Sequence, residues 1–163
     1  MARTSLSSRP LDAAWVFYLL LHIVPAVLFD SQSFLPRKSF PLVLQQTLDA
    51  WLAFSEDPLL TNVNRPGFVW IKTFLGCELF LQVPFCVLAS VMLQNDDRRV
   101  WPLLLIYASH SATTVLACLT TIFAADVTSQ QLVVLMGSYL PFFVFPLVMA
   151  VDMCRRITSA IGA

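Results

Sequence analysis

Hydrophobic positions along the chain fall into four long blocks separated by polar stretches of unequal length. The blocks run approximately over residues 11–29, 68–93, 100–124 and 131–153. Each is long enough, as helix, to cross a hydrocarbon core roughly 30 Å thick, which takes about 20 residues. The pattern predicts an all-α membrane protein, a four-transmembrane-helix bundle. Residues 94–99, Gln-Asn-Asp-Asp-Arg-Arg, form a short charged turn, so the second and third helices are antiparallel neighbours. Residues 125–130 form another short polar loop, in which Thr128 or Ser129 can cap the next helix by accepting from its first free N–H groups.

The connection over residues 30–67 is longer and carries its own periodicity. Leu44, Leu48, Trp51 and Leu52 fall at i, i+4, i+7 and i+8, while Gln45, Gln46 and Asp49 lie off that stripe. This spacing predicts an amphipathic helix at the membrane interface, either a packed connector or a lid over a pocket. At the other end, Arg3 and Arg9 precede the first apolar block in the manner of a secretory signal. His22 and Pro25 interrupt that block, and Asp30 follows it without a small-residue cleavage pattern. The first helix is therefore expected to be retained, within a single membrane domain over residues 1–163.

Composition removes several alternatives. Hydrophobic residues make up 58% and charged residues 12%, against about a quarter charged in soluble domains. A globule this small could not hide that apolar surface from water, whereas a bilayer can. Net charge is zero and basic residues cluster only in pairs such as Arg98-Arg99 and Arg155-Arg156, which argues against a nucleic-acid partner. Cys77, Cys86, Cys118 and Cys154 lie in or beside apolar blocks without a C-x-x-C pair. They read as reduced packing residues, and neither a metal nor a cofactor is expected. Arg3, Arg9, Arg98, Arg99, Arg155 and Arg156 fall on one side of the membrane, and Arg37, Lys38, Arg65 and Lys72 on the other. This bias places both termini in the cytoplasm.

Ionisable groups within a span are costly and by default mark a site. Here they are His22, Asp30, Glu78 and His110. Glu78 shares a helix face with Gln82, and Pro84 lacks the N–H that would bond the Phe80 carbonyl. A kinked helix with a carboxyl, an amide and a bare carbonyl suggests a polar pocket wall. Interhelical hydrogen bonding by a neutral carboxyl is the structural alternative. Tyr107, His110, Thr114 and Thr121 form a polar stripe on the third helix. On the fourth, Tyr139 and Phe142 belong to an aromatic run that Pro141 and Pro146 should bend. An Asp30 buried close to Glu78 would make a carboxyl pair sharing a proton, a good receptor for a cation, and aromatic faces would add to that attraction.

The residues His22-Ile-Val-Pro25, Phe29-Asp30, Leu35-Pro36, Asp57-Pro-Leu-Leu60 and Phe74-Leu-Gly-Cys-Glu-Leu-Phe-Leu-Gln-Val-Pro-Phe85 follow one another in a recognisable order. With Tyr107-Ala-Ser-His-Ser-Ala-Thr-Thr114 and Tyr139-Leu-Pro-Phe142, the chain resembles the EXPERA family, in its sigma-2 receptor branch, which is related to the emopamil-binding sterol isomerases. The resemblance implies an endoplasmic reticulum protein with a sterol-sized cavity open to the bilayer. It implies that Asp30 pairs with ligand amines, that Glu78 hydrogen-bonds Asp30, and that Asp57 is structural. Gln82, Thr114 and Tyr139 match pocket-lining positions. Phe142 stands where relatives often carry a tyrosine, and the chain ends without a lysine-rich retrieval tail.

Two functions follow. The first is a protein that binds a sterol, terpenoid or lipophilic amine through Asp30, Glu78, Gln82, His110, Thr114, Tyr139 and Phe142. The second is a sterol or terpenoid isomerase or cyclase. In it, a Glu78 carboxyl kept neutral would protonate an alkene or epoxide, and Asp30 or His22 would take a proton back. Expected partners are a sterol- or terpenoid-like molecule and membrane lipid, with a homodimer as a further candidate. The resemblance to a branch of receptors rather than to the isomerases favours binding.

Overall fold

The structure is a computed structural model and describes residues 4–162. Arg3, one of the residues used above to orient the chain, lies outside them. Four long helices are apolar and long enough to span a bilayer: α1 (Pro10–Phe34), α4 (Pro66–Gln94), α5 (Val100–Ala124) and α6 (Ser129–Ile161). Between α1 and α4 lie the amphipathic helix α2 (Leu42–Ser55) and the single-turn-and-a-half α3 (Pro58–Asn62). Strands are absent among the described residues.

The ends of these helices follow local chemistry. Pro10, Pro58 and Pro66 each stand near the start of a helix, where a missing N–H removes no intrahelical bond. Thr128 caps α6 as expected, and the Gln131 side chain returns the bond to the Thr128 N–H at 2.7 Å. α2 stops at Glu56, whose φ of 47° is left-handed. The α1, α4 and α6 spans extend beyond the apolar blocks because their polar ends remain helical. α6 continues unbroken through Pro141 and Pro146.

Two cores are stacked along the bundle. Trp15, Leu19, Leu93, Leu104 and Met153 fill the end at which α1 begins and α6 ends. Leu48, Leu59, Leu75, Ile122 and Leu135 fill the opposite end, which joins α2 and α3 to the spans. α5 packs chiefly against α6, and α1 against the second half of α4. Gly76 permits a close approach on the outer side of α4. A Cβ there would come within 2.8 Å of the Phe34 ring. Phe17, Ile106, Phe123 and Val133 lie exposed on the bundle exterior, as surfaces facing hydrocarbon do.

Both α1 and α4 contain one π-helical turn, over Ala26–Asp30 and Glu78–Gln82, and the two turns pack against each other. Such insertions add one residue to the helical repeat and recur at functional sites. Each sits beside a proline, Pro25 or Pro84.

Candidate functional site

The register shift in α1 decides where Asp30 lies. In a regular helix Asp30, eight residues after His22, would sit about 80° off the His22 face. The extra residue in the π-helical turn returns it to near that face. Asp30, His22 and Glu78 thereby line one cavity of about 420 Å³ between α1, α4 and α6, beneath α2. That size lies within the range of ligand pockets, about 300–1,000 Å³. Asp57 and Tyr139 also line it.

The polar groups form two clusters at opposite walls. At the inner wall, His22 Nε2 and Glu78 Oε1 share a hydrogen bond of 2.8 Å. On the other side of the ring, the Tyr107 hydroxyl lies 3.1 Å and the Tyr18 hydroxyl 3.4 Å from Nδ1. Two proton placements satisfy this chain: a hydroxyl donates to Nδ1 while Nε2–H donates to a carboxylate, or a neutral Glu78 donates to Nε2. At the outer wall, the Tyr139 hydroxyl donates to Asp57 Oδ2 at 2.7 Å. The other carboxyl oxygen accepts from the N–H groups of Leu59 and Leu60 at 2.9 and 3.3 Å. Asp57 is thus the N-cap of α3, and it also faces the cavity. Burial raises the Asp57 carboxyl above its ordinary range, and the bonds from Tyr139, Leu59 and Leu60 partly oppose that rise.

Asp30 lies between these clusters, and its carboxyl makes no hydrogen bond or ion pair with any described residue. The apolar walls are aromatic. Tyr18 stacks on Phe145 at 5.6 Å and meets Phe142 at 6.1 Å, while His22 meets Phe142 edge-on at 5.6 Å. Trp51 of α2 packs against Phe29 at 5.8 Å and lines the cavity, so the amphipathic helix covers one end of it. Leu21 and Phe145 line the cavity and are 45% and 48% exposed on the outside. The cavity therefore reaches the lipid-facing surface where α1 and α6 part.

Several expectations need correction. Asp30 and Glu78 share the cavity without a direct bond, because Glu78 is held by His22 instead. His110 is exposed on the outer surface of α5 and lies away from the cavity. The buried face of that helix is set by Leu104, Tyr107, Ala108, Ser111 and Cys118, and His110 falls off its edge. Thr114 is buried but bonds the Ser111 carbonyl at 3.0 Å and does not line the cavity. Gln82 is also buried outside the lining. Tyr18, one turn before His22, and Tyr107 of the α5 polar stripe meet at His22 Nδ1, a convergence across helices that no spacing in the sequence shows.

Comparison with known proteins agrees with this architecture. The EXPERA (expanded EBP superfamily) family model matches residues 43–153, from α2 to the last turns of α6. The chain is 28% identical over 151 residues to sigma intracellular receptor 2 of Homo sapiens, covering 85% of this chain and 84% of that protein. It is 28% identical over 155 residues to efficient mitochondria targeting-associated protein 19 of Schizosaccharomyces pombe, covering 94% and 80%. A family match across α2, α4, α5 and most of α6 settles membership: this chain belongs to the EXPERA family, in its sigma-2 receptor branch.

Proposed function

We propose that the protein binds a lipophilic cation, or a sterol or terpenoid with a polar head, within its intramembrane cavity. The unpartnered Asp30 carboxyl inside an aromatic enclosure carries this reading. A carboxylate there needs a compensating charge or hydrogen bonds. A ligand ammonium between Asp30 and the rings of Phe29, Tyr18 and Trp51 would supply both salt bridge and cation–π attraction. The ligand would enter from the bilayer between α1 and α6. Tyr139 is committed to Asp57, so it positions the wall and leaves Asp30 free. The protein acts as a single EXPERA domain resident in the endoplasmic reticulum, with both termini cytoplasmic, and a homodimer is compatible with this role.

The test is equilibrium binding of a hydrophobic tertiary amine and of a neutral sterol to the purified chain and to Asp30→Asn. Amine affinity is expected to fall by more than about tenfold, as losing a buried charge partner implies, with sterol binding changed far less. Equal losses for both ligands would overturn the carboxylate–cation pairing.

One observation favours a second reading. The Glu78–His22–Tyr107 chain could deliver a proton at one wall while Asp30 accepted one at another, as an alkene isomerase or epoxide cyclase requires. Expression in a sterol-isomerase-deficient or terpenoid-producing host would decide it. New product abolished by Glu78→Gln would establish the enzyme, whereas saturable binding without product would exclude it for the precursors tried.

A further inference from the structure

A second recess lies on the outer surface of α4, at the α2 end of the bundle, and shares no residue with the cavity above. It encloses about 440 Å³, with Asn64, Arg65, Lys72 and Thr73 as its polar lining. Lys72 stands one and a half turns inside the span, about 9 Å along the helix from Pro66. Its ammonium reaches back to donate to Asn64 Oδ1 at 3.0 Å. Among the described residues neither Arg65 nor Lys72 forms an ion pair, and the lining contains no carboxylate. Two uncompensated cations therefore share one recess at the membrane boundary.

The recess continues downward as an apolar trough. Val69, which is 65% exposed, and Phe34 line it. One residue type makes the trough possible: without a Cβ at Gly76, the Phe34 ring lies flush against α4. There it meets Phe80 edge-on at 5.7 Å, and Phe80 is itself 60% exposed. Val69, Thr73, Gly76 and Phe80 follow one another at helical spacing along this outward face.

We propose that this recess binds an anionic membrane phospholipid. Its phosphate sits between Arg65 and Lys72, and an acyl chain lies along the Phe34–Phe80 trough. Basic residues at the boundary attract anionic headgroups, and here they are joined to an apolar track leading into the hydrocarbon. A soluble phosphorylated molecule would use the cations but gain nothing from the trough.

The test is native mass spectrometry of the full chain released from nanodiscs of phosphatidylcholine containing a minor fraction of phosphatidic acid with the same acyl chains. The wild type is expected to retain phosphatidic acid in preference to phosphatidylcholine. Arg65→Gln and Lys72→Gln should each reduce that preference about fivefold, with thermal stability and binding in the Asp30 cavity unchanged. Millimolar glycerol 3-phosphate should fail to displace the retained lipid. Equal retention of the two lipids by the wild type would overturn the proposal even if a variant failed to fold. So would unaltered preference in the folded double variant, or displacement by glycerol 3-phosphate, which would point to a soluble phosphate ligand.

Discussion

At the end of the bundle where α1 begins and α6 ends, Asp12 and Asp152 lie among Arg9 and Arg156. The Arg156 guanidinium meets Asp12 at 2.6 Å and Asp152 at 2.8 Å, Trp15 Nε1 donates to Asp152 at 2.8 Å, and Arg9 pairs with Asp12. In the opposite half, Asp30, Asp57 and Glu78 share one cavity whose lining holds a single imidazole and neither Lys nor Arg. Both regions place acids where water is scarce. One answers each acid with a cation and ties α1 to α6. The other leaves a carboxyl open and separates the same two helices. Paired charges fasten the bundle, whereas an unpaired one reserves a place for something from outside.

The largest effect should come from removing the shared cation of the fastened end. Arg156→Met leaves Asp152 with only the Trp15 N–H and Asp12 with Arg9 alone, and should lower unfolding stability in detergent by about 2–3 kcal/mol. A loss below about 0.5 kcal/mol would make the network ornamental and dissolve the contrast. Next, Asp57→Ala removes the cap of α3 and strands the Tyr139 hydroxyl, for a combined cost of about 2 kcal/mol. The same denaturation assay measures it, and Asp57→Asn should recover much of the loss by keeping an acceptor for Leu59 and Leu60.

Asp30→Asn should leave stability within about 0.5 kcal/mol of wild type, while Asp12→Asn costs several times more. Comparable losses at the two positions would mean that Asp30 has a structural partner after all. The smallest effect concerns pH. Asp57 titrates higher in the folded protein than the unfolded value of about 3.9. The folded state therefore holds that proton more tightly. The Asp57 contribution is full below the unfolded value and declines as pH rises through the raised folded one. Melting curves taken upward from pH 4 should show a decline that is shallower in Asp57→Asn. An identical slope in the two proteins would remove Asp57 as its source.

The four spans, the tight α4–α5 turn, the Thr128 cap and the amphipathic helix α2 were legible because each rests on periodicity or on contacts within a few residues. Asp30, Glu78, Tyr139 and Phe142 stood out for a related reason, as polar or aromatic groups in apolar blocks, and all four line the cavity. His110 stood out equally and was misplaced. A polar residue in a span announces a need for a partner or an exit, but its azimuth depends on which side of the helix its neighbours cover. Gln82 and Thr114 share that ambiguity: both are buried against other helices.

The amino-acid sequence by itself determined that this chain spans a membrane four times, since hydrocarbon demands long apolar helices whatever their arrangement. It also determined which side chains a bilayer would not tolerate alone. Only the tertiary structure decided who answers them: His22 for Glu78, Tyr139 for Asp57, Arg156 for Asp12, and no described residue for Asp30. Those pairings join residues 56, 82 and 144 positions apart. They are set by packing between helices rather than by any local run of residues, as is the π-helical turn that brings Asp30 to the cavity.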